Sequence, residues 1–535
     1  MQNKVLTTDL EQNSSAFSGT EKASLLDLIQ QKDSLIEQQK RQIEVLKEAL
    51  ILSRVKRFTR SSEQSDGQYS LFDEAEMEVY EQEHDSEDSS ISSNSDDSKK
   101  DKDKDKKKTT GRKPFSKDIP RVPVYLDLTE EEKAGASKVF YTKVKEELDI
   151  IPAKIQVLEY YQQKAIFNQV DDKKTFSLKA AVLPKHPFPK AMGSINLMAY
   201  VIIAKYADGL PLYRLEGILQ RYGGEMSRAT LANWMIKLAT QLQPLINLLR
   251  ESQIAGDIIQ MDETTVKVLK EPDKPATSDK YMWVSRGGPP GQPSVLFEYD
   301  PSRSGEVPVR LLDDFSGYLQ TDGYSGYNAV CAANKITSVG CWDHARRKFK
   351  DAQSAQPKKK KGNKPTKADI ALSMINKLYL IEREIKERTI EKKYLARQEQ
   401  SLPLLKKLDT WLENNYHKVP KDSLTGKAMT YAINQWDKLN VYCKDGRLNI
   451  SNVLAENAIR PFVVGRKAWL FSDTPKGAYA SSVHYSLIET AKANGVEPHA
   501  YLVEVLNKIP YADSVEKIEE LLPWNFKKAL DKKSR

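Results

Sequence analysis

The sequence has few cysteines and no long apolar run. Its three cysteines are Cys331, Cys341 and Cys443, and no two of them form a CxxC pair. A disulfide framework or a zinc site built from cysteine pairs is therefore not expected, and a reducing compartment fits. No apolar stretch reaches the roughly 18 residues of a membrane-spanning helix, and no signal sequence is recognisable. We expect a cytoplasmic protein without a membrane partner.

Both signs of charge are abundant, with a modest positive excess. The 535 residues include 83 Lys and Arg against 74 Asp and Glu, which gives a net charge of +9. This excess suits a nucleic-acid partner but does not establish one. Hydrophobic residues make up 39% of the chain, so a normal core can form, and the length predicts several domains.

The N-terminal part predicts a coiled coil and then a disordered linker. Within residues 1–60, isoleucine or leucine recurs with heptad spacing at Ile29, Ile36, Ile43 and Leu50. A sustained heptad favours helices that wrap around each other, so we expect a homo-oligomer; an amphipathic helix packed on its own protein is the alternative. Residues 61–110 are rich in Ser, Asp and Lys and predict a disordered charged linker. Its lysine run either touches DNA or is only solvated.

A small β-containing module is predicted over residues 111–185. Two segments there are rich in β-branched and aromatic residues, namely VPVYLDL and AKIQVLEYYQQKAIF. Such composition is typical of strands.

Residues 186–250 predict a helical domain that resembles a helix-turn-helix. Glycine-containing turns separate its helical stretches, and Ser227 is a good N-cap for the last one. Arg228, Thr230 and Asn233 lie on the candidate DNA-reading helix. A helical hairpin that binds nothing is an equally good interpretation.

The whole chain is predicted to be a multidomain α/β protein. Residues 251–475 are predicted to form its catalytic core. Three successive strands are indicated by DIIQMDETTVKVL, KYMWVSR and SVLFEYD, and strands and helices alternate after them. This order is typical of a ribonuclease-H-like core. A helical insertion is predicted over residues 353–445, and a C-terminal helical region with a basic tail over residues 476–535.

Three acidic residues stand in or beside apolar stretches of this core. Asp262 lies within the first predicted strand, Asp322 follows a strand just before Gly323, and Glu456 lies in a predicted helix. Acids on separate elements can build a two-metal site, because hard divalent cations prefer oxygen ligands. Taken singly, each has a structural alternative: Asp322 as a turn residue, and Glu456 as the ion-pair partner of Arg460.

Basic residues accompany the second and third acids. The candidates for phosphate contacts are His344, Arg346, Arg347, Lys348, Arg460, Arg466 and Lys467. Arginine suits phosphate because its planar fork donates two hydrogen bonds at once. A solvated basic helix face is the alternative for each of them, and His344 is alternatively a packed, hydrogen-bonded histidine.

The chain resembles the transposases of the insertion-sequence-66 family, which are DDE transposases. The resemblance rests on RSSEQ, QYSLFDEAE, MDETTVKV, TDGYSGY, CWDHARRKF, the DGRLNI–AENAIRP block and GRKAWLF, in that order. It implies a DDE triad at Asp262, Asp322 and Glu456 and a site for two Mg²⁺ or Mn²⁺ ions. It also implies hydrolysis at the ends of an insertion sequence, followed by direct attack of the freed 3′-OH on target DNA.

The resemblance further implies the partners of a bacterial, nucleoid-associated enzyme. These are terminal inverted repeats, target DNA and small accessory proteins of the same element. A catalytically inactive or domesticated DNA-binding protein is the alternative, and a structure-selective nuclease is a third possibility. The family's usual cysteine pairs are absent from EEEKAGASKVFYTKVKEELDIIPAK, so zinc is not expected. The sequence also departs from the family pattern at Asp343 and at Ser451 to Val453.

Overall fold

The computed structural model describes residues 19–58, 141–142, 154–168, 176–356 and 364–533. Predictions for the charged linker and for VPVYLDL therefore lie outside the described residues. The chain divides into two units, of which the smaller spans residues 85–158. Every helix and strand named below belongs to the larger unit.

Among the described residues before 185, the regular elements are one long helix and one hairpin. Helix α1 spans Gly19–Phe58, and strands β1 (Lys164–Asn168) and β2 (Phe176–Ala180) pair in antiparallel fashion. The strand prediction for AKIQVLEYYQQKAIF was wrong for residues 154–163, which have no regular structure. These residues are exposed, and β propensity produces a strand only where a facing surface buries the side chains.

Three helices follow where the sequence predicts them. They are α2 (Ile195–Tyr206), α3 (Leu212–Arg221) and α4 (Arg228–Ile254). Ser227 caps α4, because its hydroxyl accepts a hydrogen bond from the Thr230 N–H at 3.2 Å. Leu238 and Leu242 of α4 belong to the same buried cluster as Phe297 and Phe462, which lie far along the chain. The helical region is therefore continuous in its core with the sheet.

A five-stranded mixed sheet forms the centre of the larger unit. Its strands are β3 (Ile258–Val266), β4 (Lys280–Gly287), β5 (Ser294–Asp300), β6 (Tyr318–Gln320) and β7 (Thr337–Val339). The spatial order is β5-β4-β3-β6-β7. Strands β3 to β5 are antiparallel, whereas β6 pairs in parallel with both β3 and β7. The predicted meander followed by strand–helix alternation is confirmed by these strands.

Short and long helices connect and cover the strands. Helix α5 (Glu306–Leu311) follows β5, α6 (Asn328–Ala333) joins β6 to β7, and α7 (Trp342–Ser354) follows β7. The segment predicted as a helical insertion contains α8 (Lys367–Ile385), α9 (Ile390–Ala396), α10 (Leu402–Tyr416), α11 (Leu424–Asn434) and α12 (Trp436–Asn440). The C-terminal part comprises α13 (Val453–Trp469), α14 (Pro475–Ala493), α15 (Pro498–Lys508), α16 (Val515–Glu519) and α17 (Pro523–Lys533).

Both faces and one edge of the sheet are covered. Side chains of β4 and β5 pack with α4, α13 and α14, while Met261 and Trp283 pack on the opposite face. The hydroxyls of Ser486 and Thr490 on α14 bond to the backbone of the edge strand β5 at Phe297 and Val295. These bonds satisfy backbone groups of the edge strand, and covering an edge in this way is one means by which proteins limit edge-to-edge aggregation.

Helix α1 packs on the insertion near its C-terminal end. The carboxylate of Glu48 accepts a hydrogen bond from the Leu424 N–H at 3.1 Å, at the start of α11. The heptad side chains Ile36, Ile43 and Leu50 are about half exposed. Among the described residues, no helix has the length and apolar content to cross a membrane.

Candidate active site

The three predicted acids come together near the inner strands β3 and β6, beyond the point where their parallel pairing ends. Parallel pairing of β3 with β6 ends at Gln260 and Gln320, and Asp262 and Asp322 each lie two residues beyond that pair. Glu456 lies in the first turn of α13, which packs on β3 and β4. Burial raises the pKa of Asp262 well above its ordinary value, and the charges of Glu263, Glu456 and Asp322 raise it further. The acids are therefore close enough to interact electrostatically.

Backbone groups fix the two aspartates. Oδ1 of Asp262 accepts a hydrogen bond from the Glu263 N–H at 2.9 Å, and Oδ1 of Asp322 accepts one from the Tyr324 N–H at 2.9 Å. The carbonyl of Asp322 accepts a third from the Tyr431 hydroxyl at 2.6 Å. Tyr431 belongs to α11, so the helical insertion contributes directly to the position of the second acid.

Glu456 is buried beside a histidine and an arginine of α7. Its side chain is 1% exposed, with Oε1 3.6 Å from His344 Nδ1 and Oε2 3.8 Å from Arg347 Nη2. Burial, together with the charge of Arg347, lowers the pKa of His344 to about 4. His344 is therefore neutral near pH 7, and Arg347 supplies the positive charge beside Glu456.

A fourth carboxylate, Glu263, lies beside the acids and was not predicted. Arg303 holds its Oε1 at 2.6 Å, and the Tyr327 hydroxyl donates to its Oε2 at 2.8 Å. Burial raises the pKa of Glu263, and the charge of Asp322 raises it further, while Tyr327 and Arg303 oppose the rise. The Arg303 guanidinium also stacks 4.1 Å from the Tyr324 ring. The sequence signal for this network is the pair of tyrosines in TDGYSGY, which follow Asp322 directly.

Cys341, His344 and Glu456 form a second group of side chains, one that could hold a metal ion. One ligand atom of each lies within 4.8 Å of the others. Thiolate and imidazole suit zinc and other transition metals, whereas Mg²⁺ prefers oxygen. The expectation that zinc is absent rested on missing cysteine pairs near residues 111–185, and this set uses a single cysteine in a different place.

The predicted basic residues of α7 differ in exposure. Arg347 and Lys348 are exposed, and the Lys348 Nζ lies 4.8 Å from the centre of the Tyr431 ring. Arg346 is 5% exposed, and its Nε donates to Asn376 Oδ1 at 3.0 Å. Arg346 therefore joins α7 to α8 inside the protein, a position that does not suit contact with a phosphate.

The basic residues of α13 and α4 also occupy distinct positions. Arg466 donates to the Thr264 hydroxyl at 3.1 Å, which anchors α13 to β3, and Lys467 is exposed. Arg460 is partly buried. The candidate DNA-reading residues lie at the start of α4. Arg228 and Asn233 are exposed there, whereas Thr230 is partly buried.

Asp343 and Ser451, at which the sequence departs from the family pattern, are joined by a hydrogen bond. Asp343 is buried, and burial raises the pKa of its carboxyl, while hydrogen bonds from Tyr379 and Ser451 oppose the rise. Tyr379 belongs to α8, and Ser451 precedes α13. Asp343 and Ser451 therefore tie α7 to the segment that leads into the helix of Glu456.

Comparison with known proteins places the chain in a family. Residues 190–480 match the Transposase IS66 family, residues 486–524 match the IS66 C-terminal element, and residues 45–124 match the Transposase C of IS166 homeodomain. The chain belongs to the IS66 transposase family. The expected resemblance is thereby confirmed, and membership in this family of transposases supports DNA binding and the use of a divalent metal.

The sequences of two relatives align with most of the length of this IS66 family member. The uncharacterized protein y4qI of Sinorhizobium fredii is 32% identical over 430 residues, which cover 78% of this chain and 77% of that protein. The uncharacterized protein y4hP of the same organism is 30% identical over 440 residues, which cover 79% and 78%.

The carboxylates fit the divalent metal that the family implies. Asp262, Asp322 and Glu456 offer only hard oxygen donors, which is the set that Mg²⁺ and Mn²⁺ prefer. Like charges also raise the pKa of Asp262, and a bound cation would offset that repulsion.

Proposed function

We propose that this transposase cleaves the 3′ ends of its element at the terminal inverted repeats and transfers them into target DNA. Asp262, Asp322 and Glu456 would act as the catalytic acids and metal ligands. The observation that supports this most is geometric: Asp262 and Asp322 each lie two residues beyond the register pair Gln260–Gln320, and Glu456 lies in the first turn of α13, which packs on β3. The charges of Asp322 and Glu456 accordingly raise the pKa of Asp262. Acids that served only as turn residues or surface ion pairs would have no reason to converge.

The sheet supports a ribonuclease-H-like catalytic core. Three antiparallel strands followed by two parallel ones, in the order β5-β4-β3-β6-β7, match the predicted architecture. The acids lie at the carboxyl ends of β6 and of the paired part of β3, where open α/β sheets bind ligands. We assign residues 251–475 to this core, with residues 353–445 as its helical insertion.

The chain's own residues would orient the reacting groups. Two Mg²⁺ or Mn²⁺ ions, when bound, supply stabilisation of the attacking and leaving oxygens of a phosphoryl transfer. Asp262, Asp322 and Glu456 would hold these ions. Arg347 would bind a DNA phosphate, because it is exposed, charged and adjacent to Glu456.

DNA contacts outside the acid cluster would come from several surfaces. Arg228, Thr230 and Asn233 at the start of α4 would contact the terminal repeats, and Lys348 and Lys467 would contact phosphates. The exposed heptad residues of α1 would pair in a homo-oligomer, and small accessory proteins of the element would complete the assembly.

A cleavage assay on labelled inverted-repeat DNA tests the proposal. The wild-type protein should cut the 3′ end only with Mg²⁺ or Mn²⁺ and then join it to target DNA. Substitutions Asp262→Asn, Asp322→Asn and Glu456→Gln should each abolish cleavage and retain DNA binding, which depends mainly on Lys and Arg.

The control is Asp257→Asn, which changes an exposed aspartate just before β3 that pairs with Arg447. It should retain full activity. Absence of cleavage by folded wild-type protein would favour an inactive DNA-binding relative. Cleavage without joining, and without a terminal sequence requirement, would indicate a nuclease.

A further inference from the structure

The two catalytic strands carry the same short pattern, Gln-x-Asp. Gln260 precedes Asp262 on β3, and Gln320 precedes Asp322 at the end of β6. The two glutamines are exact register partners across the parallel pair, and they are 3% and 0% exposed. Buried amides are costly unless their hydrogen bonds are satisfied. A buried glutamine pair directly beneath two acids therefore calls for a physical reason.

Hydrogen bonds connect this pair to both sides of the site. The Gln260 Nε2 donates to Gln320 Oε1 at 2.8 Å. The Gln320 Nε2 in turn donates to the carbonyl of Asn449 at 2.8 Å and to that of Gly340 at 3.3 Å. The two strands are thus joined to each other and to the chain segments before α7 and α13.

The remaining atom of the pair caps the helix that carries Glu456. Gln260 Oε1 accepts hydrogen bonds from the N–H groups of Leu454 at 3.1 Å and Ala455 at 3.2 Å. The N-cap residue of α13, Asn452, makes no capping bond with its own side chain. A helix start leaves its first N–H groups without intrahelical partners, and here a strand residue supplies the acceptor.

We propose that Gln260 is a positioning residue that sets Glu456 relative to the two aspartates. One side chain binds the start of α13, one residue before Glu456, and also binds the strand that leads to Asp322. Its own strand carries Asp262, so a single amide fixes the spacing of all three acids. This role rests on the proposed function, since it concerns the geometry of the metal-binding acids.

The test compares two glutamine-to-methionine substitutions. Gln260→Met keeps the side-chain size but removes the cap. Its matched control is Gln253→Met, since Gln253 is also 3% exposed and its amide bonds to Ser285 of β4 and Ser294 of β5 rather than to the start of α13. Hydrogen exchange of the peptide that covers residues 453–457, Mn²⁺ affinity by electron paramagnetic resonance, and the cleavage rate are measured for both.

The proposal predicts a specific loss in Gln260→Met. Exchange at residues 453–457 should accelerate, and Mn²⁺ affinity and cleavage rate should each fall about 10- to 100-fold, as for other residues that orient metal ligands. Gln253→Met should lower the unfolding temperature without changing Mn²⁺ affinity. Gln320→Met, which leaves the acceptor for α13 in place, should show a smaller loss and serves if Gln260→Met does not fold.

Two outcomes separate the possible failures. Equal Mn²⁺ affinity and cleavage rate in Gln260→Met and Gln253→Met would overturn the positioning role and leave Gln260 as an ordinary core residue. If the wild-type protein neither binds Mn²⁺ nor cleaves DNA, the proposed function fails. The exchange measurement then still decides whether Gln260 holds the start of α13, and unchanged exchange in Gln260→Met overturns it.

Discussion

Replacement of Asp262 by asparagine should stabilise the metal-free protein while it abolishes cleavage. The carboxylate accepts one backbone hydrogen bond, from the Glu263 N–H at 2.9 Å, and an asparagine Oδ1 can accept the same bond. The substitution therefore mainly removes a buried negative charge that faces Glu456 and Asp322. We expect a gain of about 0.5–2 kcal/mol in unfolding free energy, the usual range for single stabilising changes.

The gain in unfolding free energy of Asp262→Asn over the wild type should increase as the pH rises. The pKa of Asp262 is raised in the folded protein above its ordinary value of 3.8, so its charged form is disfavoured there. Below pH 3.8 the residue is protonated in both folded and unfolded chains, and its charge has no effect. As the pH rises toward the raised pKa, the wild-type protein loses stability that the Asp262→Asn variant keeps. The difference in unfolding temperature should thus grow with pH.

Added metal should reverse the order. A cation present at about 100 times its dissociation constant stabilises the folded state by about 2.7 kcal/mol. Thermal unfolding with and without Mg²⁺ measures this, and Mg²⁺ should stabilise the wild type far more than Asp262→Asn. The control Asp257→Asn loses only an exposed ion pair with Arg447 and should respond to Mg²⁺ as the wild type does. Equal Mg²⁺ stabilisation of all three proteins would refute the reasoning.

The remaining predictions concern other surfaces. Removal of residues 21–53 should lower the number of chains per particle, measured as particle mass divided by chain mass in light scattering. An unchanged number would refute pairing through α1. Zn²⁺ should inhibit Mg²⁺-dependent cleavage, because Cys341 lies with His344 around Glu456; Cys341→Ser should weaken the inhibition, and equal inhibition would exclude this route. Arg347→Ala should weaken DNA binding at low salt, because the exposed guanidinium is lost. Arg346→Ala should mainly lower the unfolding temperature by removing a buried hydrogen bond and leave DNA binding at low salt nearly unchanged; the reverse pattern of DNA binding would contradict the assigned positions.

Much of the α/β core could be predicted because its elements carry strong local signals. The strands of Asp262 and Val284 contain many β-branched and aromatic residues, such as Ile258, Ile259 and Trp283, and Ser227 is a clear N-cap for α4. These features depend on nearby residues, so the sequence alone defines them.

The rest depends on contacts between distant parts of the chain. The convergence of Asp262 and Asp322 requires parallel pairing of β3 with β6, which no local pattern reveals. Arg346 looked like its exposed neighbour Arg347 because both stand in the same basic run, yet the helix turns it toward Asn376. Gln260 carried no signal by itself, since its role depends on where α13 begins.

The most direct test of the account is anomalous X-ray diffraction from crystals of the protein soaked in Mn²⁺. The account predicts manganese peaks bounded by the carboxylates of Asp262, Asp322 and Glu456, and their loss in Asp322→Asn. Absence of manganese at the three acids in well-ordered wild-type crystals, or a peak unchanged by the substitution, would contradict it.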